Sequence, residues 1–144
     1  MKESTKHNLT MALTWLCRLL VGGTFLFSGF VKAIDPWGTI YKLNDYLAAL
    51  GIGLWDNLVL VGVIILCVFE FLTGAFLVTG SFRRAAPIMA ALTMLFMTPL
   101  TLWIALKNPV ADCGCFGDAY IISNWATFWK NIAITAATIW LLPH

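Results

Sequence analysis

The sequence predicts an all-α integral membrane protein: a single four-helix bundle over residues 1–144, with a short interfacial helix between the first and second crossings. Three observations predict it. The chain of 144 residues is 60% hydrophobic and 11% charged, whereas a soluble domain carries about 25% charged residues. Its apolar residues gather into four stretches, each near the ~20 residues that cross a bilayer. Its polar residues collect between those stretches, where water or headgroups can solvate them. The net charge of +2 is small and the basic residues are scattered, which argues against a nucleic-acid partner.

The first stretch covers residues 12–34, behind a polar tail over residues 1–8. No small-residue cleavage site follows it and further spans do, so it is expected to remain as an anchor. The second covers residues 58–80. The third covers residues 85–106, with Pro87 suited to a first turn and Pro99 placed to kink the interior. The fourth covers residues 126–142, after Ser123 and Asn124, both good helix N-caps. Lipid offers no partner to a free backbone group, so these interiors must be helical. Residues 35–57 are too polar to cross. Within them Ile40, Leu43, Leu47 and Leu50 share one helical face. That stripe suits a helix lying in the interface, or one packed on the end of the bundle. Gly51 and Gly53 end it. Gly22, Gly23, Gly62 and Gly74 read as points of close helix approach.

Basic residues set the orientation. Lys2, Lys6, Arg18, Arg83 and Arg84 fall on one side. Lys32, Lys42, Lys107 and Lys130 fall on the other, diluted by Asp35, Asp45, Asp56, Asp112 and Asp118. The positive-inside rule then puts both termini in the cytoplasm and both longer loops outside. Trp37, Trp55, Trp103, Trp125 and Trp129 fall near the outer boundary, as an aromatic belt would.

The outer loop before the last span reads Asp112-Cys113-Gly114-Cys115-Phe116-Gly117-Asp118. Two thiols one residue apart, facing an oxidising compartment, point to a bond, a metal or a redox task. A Cys113–Cys115 disulfide over one intervening residue is awkward to close, and strain makes a disulfide more reducible. Gly114 eases that closure. So tight a loop removes little chain entropy, which argues against a staple. A redox pair is therefore the reading preferred over a structural bridge or a metal site. A closed zinc site wants four ligands, and the two histidines, His7 and His144, lie at the termini. Cu(I) would accept two thiolates, yet Met89, Met94 and Met97 sit in the third span, where methionine is usually core filler. Cys17 and Cys67 differ in depth by roughly 13 Å on a helical rise of ~1.5 Å per residue, beyond disulfide reach, and read as packing residues.

Glu70 lies in the middle of the second span. An ionisable group at that depth costs ~3 kcal/mol or more unless paired or protonated, so it must face the bundle interior. Arg18 and Lys32 are the cations available on the first span. A register-fixing pair is the simpler reading. A proton relay or a polar contact to a quinone-like ligand is the functional one. Lys32, close to Asp35-Pro36 at the helix exit, is expected to snorkel to the interface. Asp112 and Asp118 should disfavour a thiolate, so any activating charge must come from Lys107, Lys130 or the helix start near Thr127.

These residues carry a family resemblance. Arg18 to Lys32, Glu70 with Gly74, the Cys-Gly-Cys-Phe-Gly loop and the segment from Asn124 to Asn131 resemble the DoxX-like superfamily of small four-helix membrane proteins, particularly its MauE-like branch. The resemblance covers essentially the whole chain, and the cysteine loop is its most specific part. It implies a bacterial inner-membrane protein whose loop faces the periplasm in a thiol–disulfide role, alongside a thioredoxin-like partner. The bundle also looks like that of quinone-reducing vitamin-K-epoxide-reductase and DsbB-type enzymes, but Cys-x-Cys replaces their Cys-x-x-Cys. No built-in cofactor or metal is expected, with a quinone as an open alternative. Trp140 to His144 leave no room for a fused thioredoxin domain, so the partner is expected as a separate chain. The rival readings are a non-catalytic membrane subunit of a larger complex, with the bridge structural, and Cu(I) handling.

Overall fold

The computed structural model describes residues 1–53, 55–107 and 123–144. Among these the chain is all-α, with five helices and no strand. They are α1 (Lys2–Ile34), α2 (Pro36–Ala49), α3 (Asp56–Thr79), α4 (Ala85–Lys107) and α5 (Asn124–Leu141). Helix α1 is 33 residues long and takes in the polar tail expected ahead of the first span. Thr5, Thr10 and Thr14 there each donate a hydroxyl hydrogen bond to the carbonyl four residues back.

Helix α3 packs antiparallel against the C-terminal half of α1. Arg18 reaches the carbonyl of Arg83 just beyond α3, Gly22 lies against Gly74, and Ser28 and Lys32 meet Glu70. Backbone approaches backbone because side chains are missing at the crossings. A Cβ at Gly74 would fall 2.5 Å from the Leu26 nitrogen, and one at Gly29 would fall 2.8 Å from the Phe71 nitrogen. Of the glycines expected at such contacts, Gly22 and Gly74 are there. Gly23 and Gly62 are not, since a Cβ on either would meet nothing within 4 Å. They sit on other faces of their helices, and Gly29 takes the place in the interface.

Helix α2 forms where the stripe predicted it. Pro36 occupies its first turn, and the Asp35 carboxylate caps it by accepting from the Gly38 N–H at 3.0 Å. At its other end Gly51 adopts φ +74°, and the N–H groups of Gly51 and Ile52 bond to the carbonyls of Ala48 and Leu47. This is a Schellman termination, which needs the left-handed residue that glycine supplies. Ile40 is buried against Val59, Val63 and Cys67 of α3, with Leu43 and Leu47 packed on the same cluster. So the apolar stripe turns to the bundle rather than to lipid, while Leu50 stays exposed.

The second core cluster joins the other helices. Val21 and Phe25 of α1 meet Leu77 of α3, Ala86, Ala90 and Met94 of α4, and Ile134 and Leu141 of α5. Cys17 packs at its margin. Both described cysteines are thus free thiols held in apolar packing, in separate clusters. Helices α4 and α5 run antiparallel, joined by the Thr98–Thr135 hydroxyl contact at 3.0 Å and by Asn131 donating to Thr101 at 3.2 Å. Helix α4 continues through Pro99, which withholds the N–H that would reach the Leu95 carbonyl. Ser123 caps α5 by accepting from the Ala126 N–H.

Three helices, α1, α3 and α4, are long and apolar enough to cross a membrane. Helix α5, at 18 residues and carrying Lys130 and Asn131, is not among them. The outward faces of the three are apolar, with Leu16, Leu20, Phe27, Phe30, Ile65, Val68, Leu95 and Phe96 exposed. In water such a surface would aggregate; in a bilayer it is the solvated face. Trp37, Trp55, Trp103, Trp125 and Trp129 all fall at the helix ends that carry α2, and Trp15 and Trp140 mark the opposite end.

Candidate functional site

Cys113, Cys115, Asp112 and Asp118 lie outside the described residues. The described part of the predicted site is the polar cluster that α1 and α3 enclose. On α1, Arg18, Val21, Phe25, Ser28 and Lys32 recur at spacings of three and four residues and all are buried. One stripe therefore carries both the apolar contacts and the polar ones.

Lys32 Nζ stands 2.6 Å from Glu70 Oε2. It also donates to Ser28 Oγ at 2.6 Å, and that hydroxyl donates to the same carboxylate oxygen at 3.0 Å. Lys32 is 3% exposed and Glu70 4%. The expected snorkelling of Lys32 is therefore overturned. Its ammonium turns inward because a buried carboxylate one helix away offsets its desolvation better than the headgroup region would. Glu70 faces the bundle interior, as its depth requires. Ser28 carried no expectation, although its position one turn before Lys32 was the available signal. Arg18, the other predicted cation, is buried at the middle of α1, level with the turn beyond α3, and takes no part in this cluster.

The cluster opens on two cavities, and Lys32 lines both. The smaller, about 40 Å³, lies where four helices meet, among Thr24, Ser28, Glu70, Met97, Lys130 and Asn131. Its size suits water at the few polar groups that reach it, while most of its wall is apolar. Lys130 is half-buried on that wall, so its charge is directed at the interior cluster. The larger, about 340 Å³, lies between α2, α3 and α4. Leu66, Phe69, Leu92, Phe96 and Leu100 form its apolar walls, and Thr39, Lys42 and Tyr46 a polar edge beside Lys32. That volume is within the range of small-molecule sites, and the space opens beside the exposed Leu92 and Phe96. Trp37, Trp55 and Trp125 do not line it. Met94 and Met97 pack in the core as fillers. No group of three or more His, Cys, Asp or Glu side chains that could hold a metal occurs among the described residues.

Apolar outward faces, close glycine-mediated packing and a buried ion pair with its own hydroxyl bridge define a small multi-pass helical membrane protein. The family model described as methylamine utilisation protein MauE matches residues 10–144, nearly the whole chain. The chain belongs to the MauE family. Searches of curated proteins and of solved structures each found no significant match.

Proposed function

We propose that this MauE-family protein is a thiol–disulfide exchanger of the bacterial inner membrane, serving methylamine utilisation through Cys113 and Cys115. The observation that carries the reading is the Cys-Gly-Cys sequence in the connection between α4 and α5. That connection leaves from Lys107 and returns at Asn124, at the bundle end that holds α2 and the Lys32–Glu70 pair. Helix α5 completes a fourth crossing, its polar residues turned to α4 and the interior cavity. Lys2, Lys6, Arg83 and Arg84 gather at the opposite end, which supports cytoplasmic termini and a periplasmic cysteine loop.

In the exchange, a thiolate of a periplasmic thioredoxin-like partner attacks one sulfur of the Cys113–Cys115 disulfide. The other sulfur leaves as a thiolate, and a mixed disulfide joins the two proteins. The partner's second thiol then attacks its own bonded sulfur and releases the reduced pair. Two electrons and two protons pass from partner to membrane protein, and the reverse sequence returns them. Lys107 is the cation on the loop side of α4 that can favour the thiolate, since Lys130 lines the interior cavity.

The test is trapping. Cys113→Ser and Cys115→Ser variants, expressed with a periplasmic thioredoxin-like protein, should differ, with one accumulating a covalent adduct that a reductant dissolves. If neither variant yields an adduct, exchange is excluded and the loop is a structural contact of a membrane subunit.

A further inference from the structure

The end of the bundle away from the cysteine loop holds a second charged site that the exchange does not use. A cavity of about 330 Å³ lies between the N-terminal half of α1, the α3–α4 turn and the end of α5. Its cationic and titratable wall residues are Arg18, Arg83, His7 and His144. Arg18 is 4% exposed. Its Nη2 donates to the Arg83 carbonyl at 3.5 Å, and its Nη1 is buried with no hydrogen-bond partner among the described residues. Among the described residues no carboxylate forms an ion pair with Arg18: Glu70 is held by Lys32 and Ser28, and the terminal carboxylate of His144 on the same wall lies beyond ion-pair distance.

A buried guanidinium with one lobe unsatisfied is costly. Its planar fork suits a two-oxygen anion, and phosphate above all when a second arginine is beside it. The hydroxyls of Thr10 and Thr14 on the same wall already donate to backbone carbonyls. Recognition there must come from the cations. The site also lies level with Gly80 and the short turn into α4, where a bilayer places its headgroups.

We propose that this cavity binds a phosphate group, with Arg18 and Arg83 as its cationic ligands. An anionic phospholipid headgroup and free phosphate share that chemistry, and the test separates them. The full-length protein is reconstituted into nanodiscs of phosphatidylcholine mixed with phosphatidylglycerol, and retained lipid is read by native mass spectrometry. In parallel, inorganic phosphate is titrated onto the detergent-solubilised protein and thermal unfolding is followed. Preferential retention of phosphatidylglycerol by about fivefold, lost in Arg83→Gln and kept in Arg84→Gln, supports the site with a lipid source. Stabilisation by phosphate that Arg83→Gln abolishes, without lipid preference, supports it with a soluble source. Arg18→Gln should act as Arg83→Gln does where it folds, but the exposed Arg83 carries the test alone if it does not. The proposal is overturned if wild-type protein shows neither lipid preference nor phosphate stabilisation. It is equally overturned if Arg84→Gln lowers retention as much as Arg83→Gln, because the attraction would then be diffuse surface charge.

Discussion

Glu70 lies in a run that is otherwise apolar, and its carboxylate is held by the Lys32 ammonium and the Ser28 hydroxyl together. Removing one charge strands the other. Lys32→Met should therefore destabilise the protein by about 3–5 kcal/mol, whereas Lys32→Met with Glu70→Leu should recover most of that loss. Chemical unfolding in detergent reads both, and a double variant as unstable as the single one would show that the pair is not what the site contributes. Glu70→Gln separates structure from proton transfer: normal redox turnover in that variant would remove a relay role for the carboxylate. On the loop, neutralising Asp112 and Asp118 to asparagine should raise the thiolate fraction and speed alkylation of the reduced cysteines a few-fold at fixed pH. An unchanged rate would mean that those carboxylates do not reach the sulfurs. Glu70 was legible in the sequence because one acid among apolar residues has no choice but to turn inward. Lys32 was not, since its place near the helix exit suggested an interfacial head. The spacing of Arg18, Val21, Phe25, Ser28 and Lys32 held the better clue, because polar residues on a packing stripe are buried with it.

Among the elements, α1 and α3 owe their contact to what is missing from Gly22, Gly29 and Gly74. Gly74→Ala and Gly29→Ala press a methyl into backbone and should each cost about 1–3 kcal/mol. Gly23→Ala and Gly62→Ala meet open space and should be neutral or slightly stabilising through helix propensity. Thermal melts of the four variants check this, and equal effects across them would show that close packing does not govern the interface. Helix α2 depends on its cap, so Asp35→Ala should weaken it by about 1 kcal/mol. Apolar runs, caps and glycine stops placed the helix ends to within a few residues, because those signals are local, except the start of α1, which lies at Lys2 rather than near residue 12 because the polar tail is helical too. Which glycines meet another helix was not legible. That depends on the rotation of α1 about its axis, which only its partner fixes. The same holds for the face of α2: a stripe of Ile40, Leu43 and Leu47 says that something apolar covers it, not whether lipid or α3 does.

For the whole molecule, the proposed topology makes a labelling pattern. In intact spheroplasts, after mild reduction, a membrane-impermeant maleimide should modify Cys113 and Cys115, while Cys17 and Cys67, packed in the two core clusters, stay unmodified. Labelling of the loop cysteines only after lysis would invert the orientation and end the periplasmic reading. Three spans followed from composition alone. The fourth span expected from the sequence does not meet the same measure among the described residues, since α5 places Asn124, Thr127, Asn131 and Thr138 inward and gives up hydropathy to do so.

The bundle is assembled as two clasped couples, α1 with α3 and α4 with α5, which touch each other less extensively. Lys32 and Glu70 sit on the seam between the couples, with both cavities beside them. The first couple is held close by its meshed glycines, the second by its hydroxyl and amide contacts. A slight parting of the two halves would thus change the wetting of that ion pair without bending a helix, as the leaves of a locket admit moisture when they loosen.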